Sequence, residues 1–258
     1  MASNEVLKVN TNNPDPIFKR VIFSMGGKGG VGKTGFMSLL AEWFQDAALP
    51  FTLLDLDIEN KAAGSLKHYF PDTAHKINIY TPAGLDSFID YLVTDSSDSP
   101  PIVVADMGAG SGAVALDWFD AMYPEISRIG VVFTAIGIIT PDPSTIDSVL
   151  AWAARLNRRV RYLIVENSPN LVSDFTYWRD TYEAQLFRQM FHPAVISMEF
   201  RLPDLENAAR QHGVTLRQVA ERKTSHDPLR KTSFVLRAQA YRRRMFAQLE
   251  TVADLLLL

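Results

Sequence analysis

The stretch Gly27-Lys28-Gly29-Gly30-Val31-Gly32-Lys33-Thr34 holds the residue types that grip a polyphosphate, in the order G-x-x-x-x-G-K-[ST]. Glycines carry no Cβ, so successive backbone N–H groups are free to turn toward an anion. Lys33 supplies positive charge for the β- and γ-phosphates, and the Thr34 hydroxyl is a ligand type that Mg²⁺ accepts. An apolar run, Val21 to Ser24, precedes the stretch, and an apolar helix through Phe36, Leu39, Leu40 and Trp43 follows it. A strand before and a helix after would aim the positive end of the helix at the phosphates. The implied ligands are ATP and Mg²⁺. A glycine-rich connection without a ligand would explain neither the Lys33-Thr34 pair nor the helix that starts there.

Three carboxylates belong to the same chemistry. The apolar run Phe51 to Leu54 ends in Asp55-Leu56-Asp57-Ile58-Glu59-Asn60, and Pro101 to Ala105 ends in Asp106. In an open α/β sheet the carboxyl ends of the strands face the ligand crevice, which puts Asp55, Asp57 and Asp106 beside the phosphates. Asp106 is the candidate to hold Mg²⁺ through water, because Mg²⁺ gives up its water reluctantly. Thr34 and Asp57 are the other metal candidates. An acceptor beside the γ-phosphate can orient water for in-line attack, a role open to Asp57. The competing reading makes Asp55 and Asp57 simple turn residues at a strand end.

Positioning these groups requires an α/β framework, and the chain has its pattern. Short apolar runs rich in β-branched residues alternate with longer helix-like segments, as in a mostly parallel, doubly wound sheet flanked by helices. Further strands are expected at Ile77 to Tyr80, Ile102 to Ala105, Ile129 to Phe133, Tyr162 to Val165 and Ala194 to Ser197. Helices are expected at Leu85 to Val93, Ala113 to Met122, Pro143 to Leu156, Asp174 to Met190, Leu202 to His212, Leu216 to Arg222 and Ser233 to Leu257. Thr224 to Pro228 reads as an exposed loop. Residues 1–18 read as a flexible lead-in without an apolar signal core, and residues 19–258 as one nucleotide-binding domain closed by an amphipathic helix.

With Lys28 included, the loop resembles the deviant Walker A motif, KGGxGK[ST], of the ParA/MinD superfamily of P-loop ATPases. The resemblance covers about Val21 to Gly213. It implies a face-to-face homodimer with two sandwiched ATP molecules, in which Lys28 reaches the phosphates bound by the partner subunit. It implies a switch I role for Asp57 at the attacking water and a switch II role for Gly108 and Gly110 in Met107-Gly108-Ala109-Gly110-Ser111-Gly112. It also implies that Asn167, closing Val165-Glu166-Asn167, reads the adenine edge. Arg201-Leu202-Pro203 resembles the family segment that lies by the base. The activity so implied is slow ATP hydrolysis, stimulated by a partner protein, that resets an ATP-dependent dimerisation switch in plasmid partition, conjugative transfer or intracellular positioning.

Composition narrows the choice of branch. The 258 residues include no cysteine, so the cluster-bearing, zinc-bearing and arsenite-binding branches of the superfamily are excluded. A cysteine-free chain without an apolar span suits the cytoplasm. The formal net charge of −3 argues against a uniformly basic coat, so any contact with nonspecific DNA has to be local. In the last helix Arg242, Arg243 and Arg244 stand beside an apolar stripe. Three readings compete there: a closing helix packed on the core, a DNA-contacting patch, and a membrane-surface helix, which ranks below DNA. A non-catalytic adaptor stabilised by bound nucleotide is the alternative to the enzyme.

Overall fold

The computed structural model describes residues 18–58, 64–93 and 100–258. Seven parallel strands form one sheet: β1 Lys19–Met25, β2 Phe51–Asp55, β3 Ala74–Lys76, β4 Ile102–Asp106, β5 Val131–Ile139, β6 Arg161–Asn167 and β7 Ala194–Met198, in the order β3-β2-β4-β1-β5-β6-β7. The helices are α1 Lys33–Asp46, α2 Leu66–Tyr69, α3 Pro82–Val93, α4 Gly112–Arg128, α5 Pro143–Leu156, α6 Thr176–Asp180, α7 Tyr182–Phe191, α8 Pro203–His212, α9 Leu216–Ala220, α10 Thr232–Thr251 and α11 Ala253–Leu256. The expected doubly wound α/β architecture is what the chain adopts.

Alternation along the strands builds two cores. On one face Val21, Phe23 and Met25 of β1 pack with Phe119 of α4 and Val149 and Trp152 of α5. On the other, Ile22 packs with Phe36, Leu40 and Phe44 of α1 and with Met245 and Leu249 of α10. Strand β1, between β4 and β5, is therefore buried on both sides, which is why Val21 to Phe23 at its centre are all apolar. A third cluster, with Leu205, Val219, Leu229 and Ala238, joins α8, α9 and α10.

Several elements differ from expectation. The strand expected at Ile77 to Tyr80 lies instead at Ala74–Lys76, paired with Leu53 to Asp55. Ile77 N donates to Asp55 O at 3.0 Å, and then Asn78 turns the chain by accepting from Tyr80 N on its side chain and from Thr81 N on its carbonyl. Ile77 and Ile79 are buried as loop residues. The strand expected at Ile129 to Phe133 runs from Val131 to Ile139, because α4 continues through Pro124 to Arg128 and Gly130 takes a φ of 82°. The helix expected at Asp174 to Met190 breaks at Thr181, which is extended. The last helix breaks at Val252. Thr224 to Pro228, expected as an exposed loop, buries Thr224 and leads into a short helical turn that buries Leu229. The lead-in 1–17, and Glu59 and Asn60 after the Asp55-Leu56-Asp57 segment, lie outside the described residues.

Candidate nucleotide site

The Gly27 to Thr34 loop joins β1 to α1 at the carboxyl edge of the sheet, beside the ends of β2 and β4. Gly27, Lys28, Gly29 and Gly30 are exposed, Val31 is buried beneath them, and α1 begins at Lys33. Lys33 is buried, and its Nζ donates to the loop carbonyl of Lys28 at 2.6 Å. Burial holds the Lys33 ammonium below its ordinary pKa, while the charges of Asp106 and Asp57 oppose that shift. Both carboxylates thus act on the same ammonium.

Asp106 is the buried acid of the site. Its Oδ1 accepts from Ser24 Oγ at 2.9 Å, and its Oδ2 is buried without a hydrogen-bond partner among the described residues. Burial pushes its carboxyl up to about 6, against the opposing effects of the nearby Thr34 hydroxyl, Ser24 and Lys33. An orphaned buried carboxylate oxygen near a threonine hydroxyl is a pair of oxygen donors that fits a hydrated Mg²⁺. Asp55, its neighbour across the β2–β4 ladder, is wholly buried and holds backbone: its Oδ1 accepts from Asp57 N at 3.1 Å and its Oδ2 from Lys67 N at 2.9 Å. Asp55 therefore shapes the loop that carries Asp57.

The two acidic loops touch. A Cβ on Gly108 would fall 2.7 Å from Asp57 Oδ1, so glycine is what lets the segment after β4 close on Asp57. Gly108 O then accepts from Ser111 N and Ser111 Oγ in a tight turn, leaving Gly110 exposed. Lys28 is exposed near Asp142, whose carboxyl lies below its ordinary range chiefly through bonds from Ser144 and to a smaller extent through the Lys28 charge.

Asn167 reaches the Gly27 to Thr34 loop. Its Nδ2 donates to Val31 O at 2.9 Å, so the side chain clamps the backbone of the loop. Gly32, at φ 99°, makes room for this contact, since a Cβ there would lie 2.8 Å from Asn167 Nδ2. Sequence reasoning also missed Ser148, whose Oγ accepts from Gly27 N at 2.7 Å, and Ser24, which accepts from Met107 N at 2.8 Å while donating to Asp106. The one available signal for Ser24 was a hydroxyl inside an otherwise apolar strand.

The arginine run does not form a patch. Arg242 is turned inward, its Nε donating to Glu42 Oε2 at 2.7 Å and its Nη2 to Asp46 Oδ2 at 2.8 Å. Desolvation pushes the Glu42 carboxyl up to about 7, with Arg242 pulling the other way. Arg244 grips Glu199 at 2.8 Å, and Arg243 is exposed. A DNA contact built on all three is corrected by this geometry, because the Arg242 guanidinium faces the core. No helix among the described residues is long and apolar enough to cross a membrane.

No protein-family model matches the chain, and no curated protein matches it. Among solved structures it is similar to a nucleotide-binding protein of Archaeoglobus fulgidus in complex with ADP, with 16% identity, 83% of this chain and 91% of that one covered, and a TM-score of 0.49. It is also similar to the MinD cell division protein of Aquifex aeolicus, with 14% identity, 88% and 97% coverage, and a TM-score of 0.48. A plasmid partition protein of Borrelia burgdorferi bound to AMPPNP gives 11% identity, 86% and 98% coverage, and a TM-score of 0.43.

Proposed function

We propose that this chain is a ParA/MinD-like ATPase that binds Mg-ATP at Gly27 to Thr34 and cycles between ATP-bound homodimer and monomer, with a partner protein stimulating hydrolysis. The observation that carries the reading is Asp106, buried at the strand end beside Lys33 and Thr34 with one oxygen unmet. Thr34 and Asp106 would hold Mg²⁺, which supplies charge neutralisation across the β- and γ-phosphates. Lys33 pairs with the same oxygens from within the subunit, and the exposed Lys28 crosses to the nucleotide of the second copy. Asp57 orients water, whose oxygen bonds to the γ-phosphorus as the bond to the β–γ bridging oxygen breaks, releasing ADP and phosphate. Asn167 keeps the loop in shape by holding Val31 O.

The test pairs light scattering with phosphate release. Wild-type protein dimerises with Mg-ATP and turns it over slowly. Lys28→Ala binds nucleotide within about threefold of wild type but stays monomeric, and Asp57→Ala dimerises while hydrolysis falls at least about tenfold. ATP-driven dimers of Lys28→Ala would refute the crossing contact.

A further inference from the structure

Helices α1 and α10 converge at one end and part at the other. Near the C-terminal end of α1 they are pinned, with Arg242 on Glu42 and Asp46 and with Trp43 Nε1 donating to Glu250 Oε1 at 3.0 Å. Toward the N-terminal end of α1 they leave a wedge-shaped cavity of about 510 Å³, bounded also by the turn at Phe200 to Leu202 and by α8 and α9. Ser38, Leu39 and Glu42 face it as one stripe of α1, opposite Arg237, Tyr241 and Arg244 of α10. Small-molecule sites fall in the range of about 300–1,000 Å³, mostly apolar with a few polar groups.

The polar groups of this wedge have one sign of need. Its carboxylates are held: Glu42 by Arg242, and Glu206 by Arg201 Nη2 at 2.7 Å. Donors remain. Arg201 has guanidinium N–H groups beyond the one on Glu206, Tyr241 Oη is buried without a partner among the described residues, and Arg237, exposed at the rim, has no ion pair among them. Leu39, Leu205 and Leu216 supply apolar wall. We propose that the wedge binds a small organic carboxylate with an apolar body, the carboxylate directed at Arg237 and Arg201 and the body lying on these leucines.

The site is separate from the phosphates. Only Gly35, next to Thr34, marks its near end, where the Arg201 guanidinium comes 3.4 Å from the place of a Cβ. From there to Glu42 the helix rises about 10 Å away from the loop. An occupant bears on the first turns of α1, the helix that follows the Gly27 to Thr34 loop, without reaching the loop itself. The inference stands independently of the ATPase reading.

Titration calorimetry of the full chain with decanoate tests it, with and without saturating Mg-ADP. Decanoate is expected to bind one-to-one in both conditions, with decylammonium at least about tenfold weaker. Leu39→Trp fills the wedge and removes binding. Arg237→Ala, a surface change that leaves the fold alone, weakens decanoate about tenfold and leaves the neutral decanol unaffected. Absence of decanoate binding, equal binding of decylammonium, or full affinity in Arg237→Ala would overturn the proposal. One-for-one displacement of decanoate by ADP would also overturn it, by placing the probe in the nucleotide site.

Discussion

The loop Gly27 to Thr34 and the run Arg242 to Arg244 are both short, conspicuous strings, yet they are built in opposite ways. The loop presents its glycine backbone at the edge of the sheet, whereas neighbouring arginines on a helix point about 100° apart and part company. Arg242 goes inward to Glu42, Arg244 sideways to Glu199, and Arg243 outward. A loop motif thus carries its chemistry in sequence order. A helical run carries it only after the helix phase is known.

The loop side of this contrast is broken most severely by Lys33→Ala. Nucleotide affinity should fall at least about a hundredfold in a fluorescent-nucleotide titration, since the charge proposed to meet the phosphates is gone. On the helix side, Arg242→Ala should lower unfolding free energy by about 3 kcal/mol at pH 8, because a buried carboxylate loses its partner. Arg243→Ala should stay within about 0.5 kcal/mol of wild type. The pH dependence follows from Glu42, whose folded value of about 7 lies above its unfolded one. Its share of stability is complete below the ordinary carboxylate range and is lost as pH rises through about 7. Protonated Glu42 does not need Arg242, so the Arg242→Ala penalty in denaturant melts should shrink from pH 8 to pH 5. A penalty that grows on acidification would refute this assignment.

Much of the framework was legible because buried parallel strands are unbroken apolar runs. Strands β1, β2, β4, β6 and β7 lie where their runs lie. Strand β5 was cut short because Thr134 and Gly137 interrupt its pattern, although Thr134 is buried and donates to Leu255 O at 2.6 Å. Strand β3 is only three residues long, too short for alternation to register. At the candidate site, the placement of the loop between β1 and α1 and of Asp106 at the end of β4 was legible from residue type and spacing. The clamp by Asn167 and the hydroxyl of Ser148 join residues more than a hundred positions apart, and no local pattern encodes them.

The smallest expected effect sharpens the loop side. Asn167→Ala removes one hydrogen bond to Val31 O, about 1 kcal/mol, and should weaken ATP about fivefold while Asp57-dependent chemistry on bound ATP keeps its rate. Single-turnover measurements separate the two.

At the opposite edge of the sheet, buried Arg20 donates from Nε to Leu257 O at 2.8 Å and from Nη1 to Thr134 Oγ1 at 3.0 Å. The acceptor of the first bond is synthesised 237 residues after its donor. The central strand that leads into the Gly27 to Thr34 loop thus has its buried guanidinium satisfied only once a segment made 237 residues later is in place.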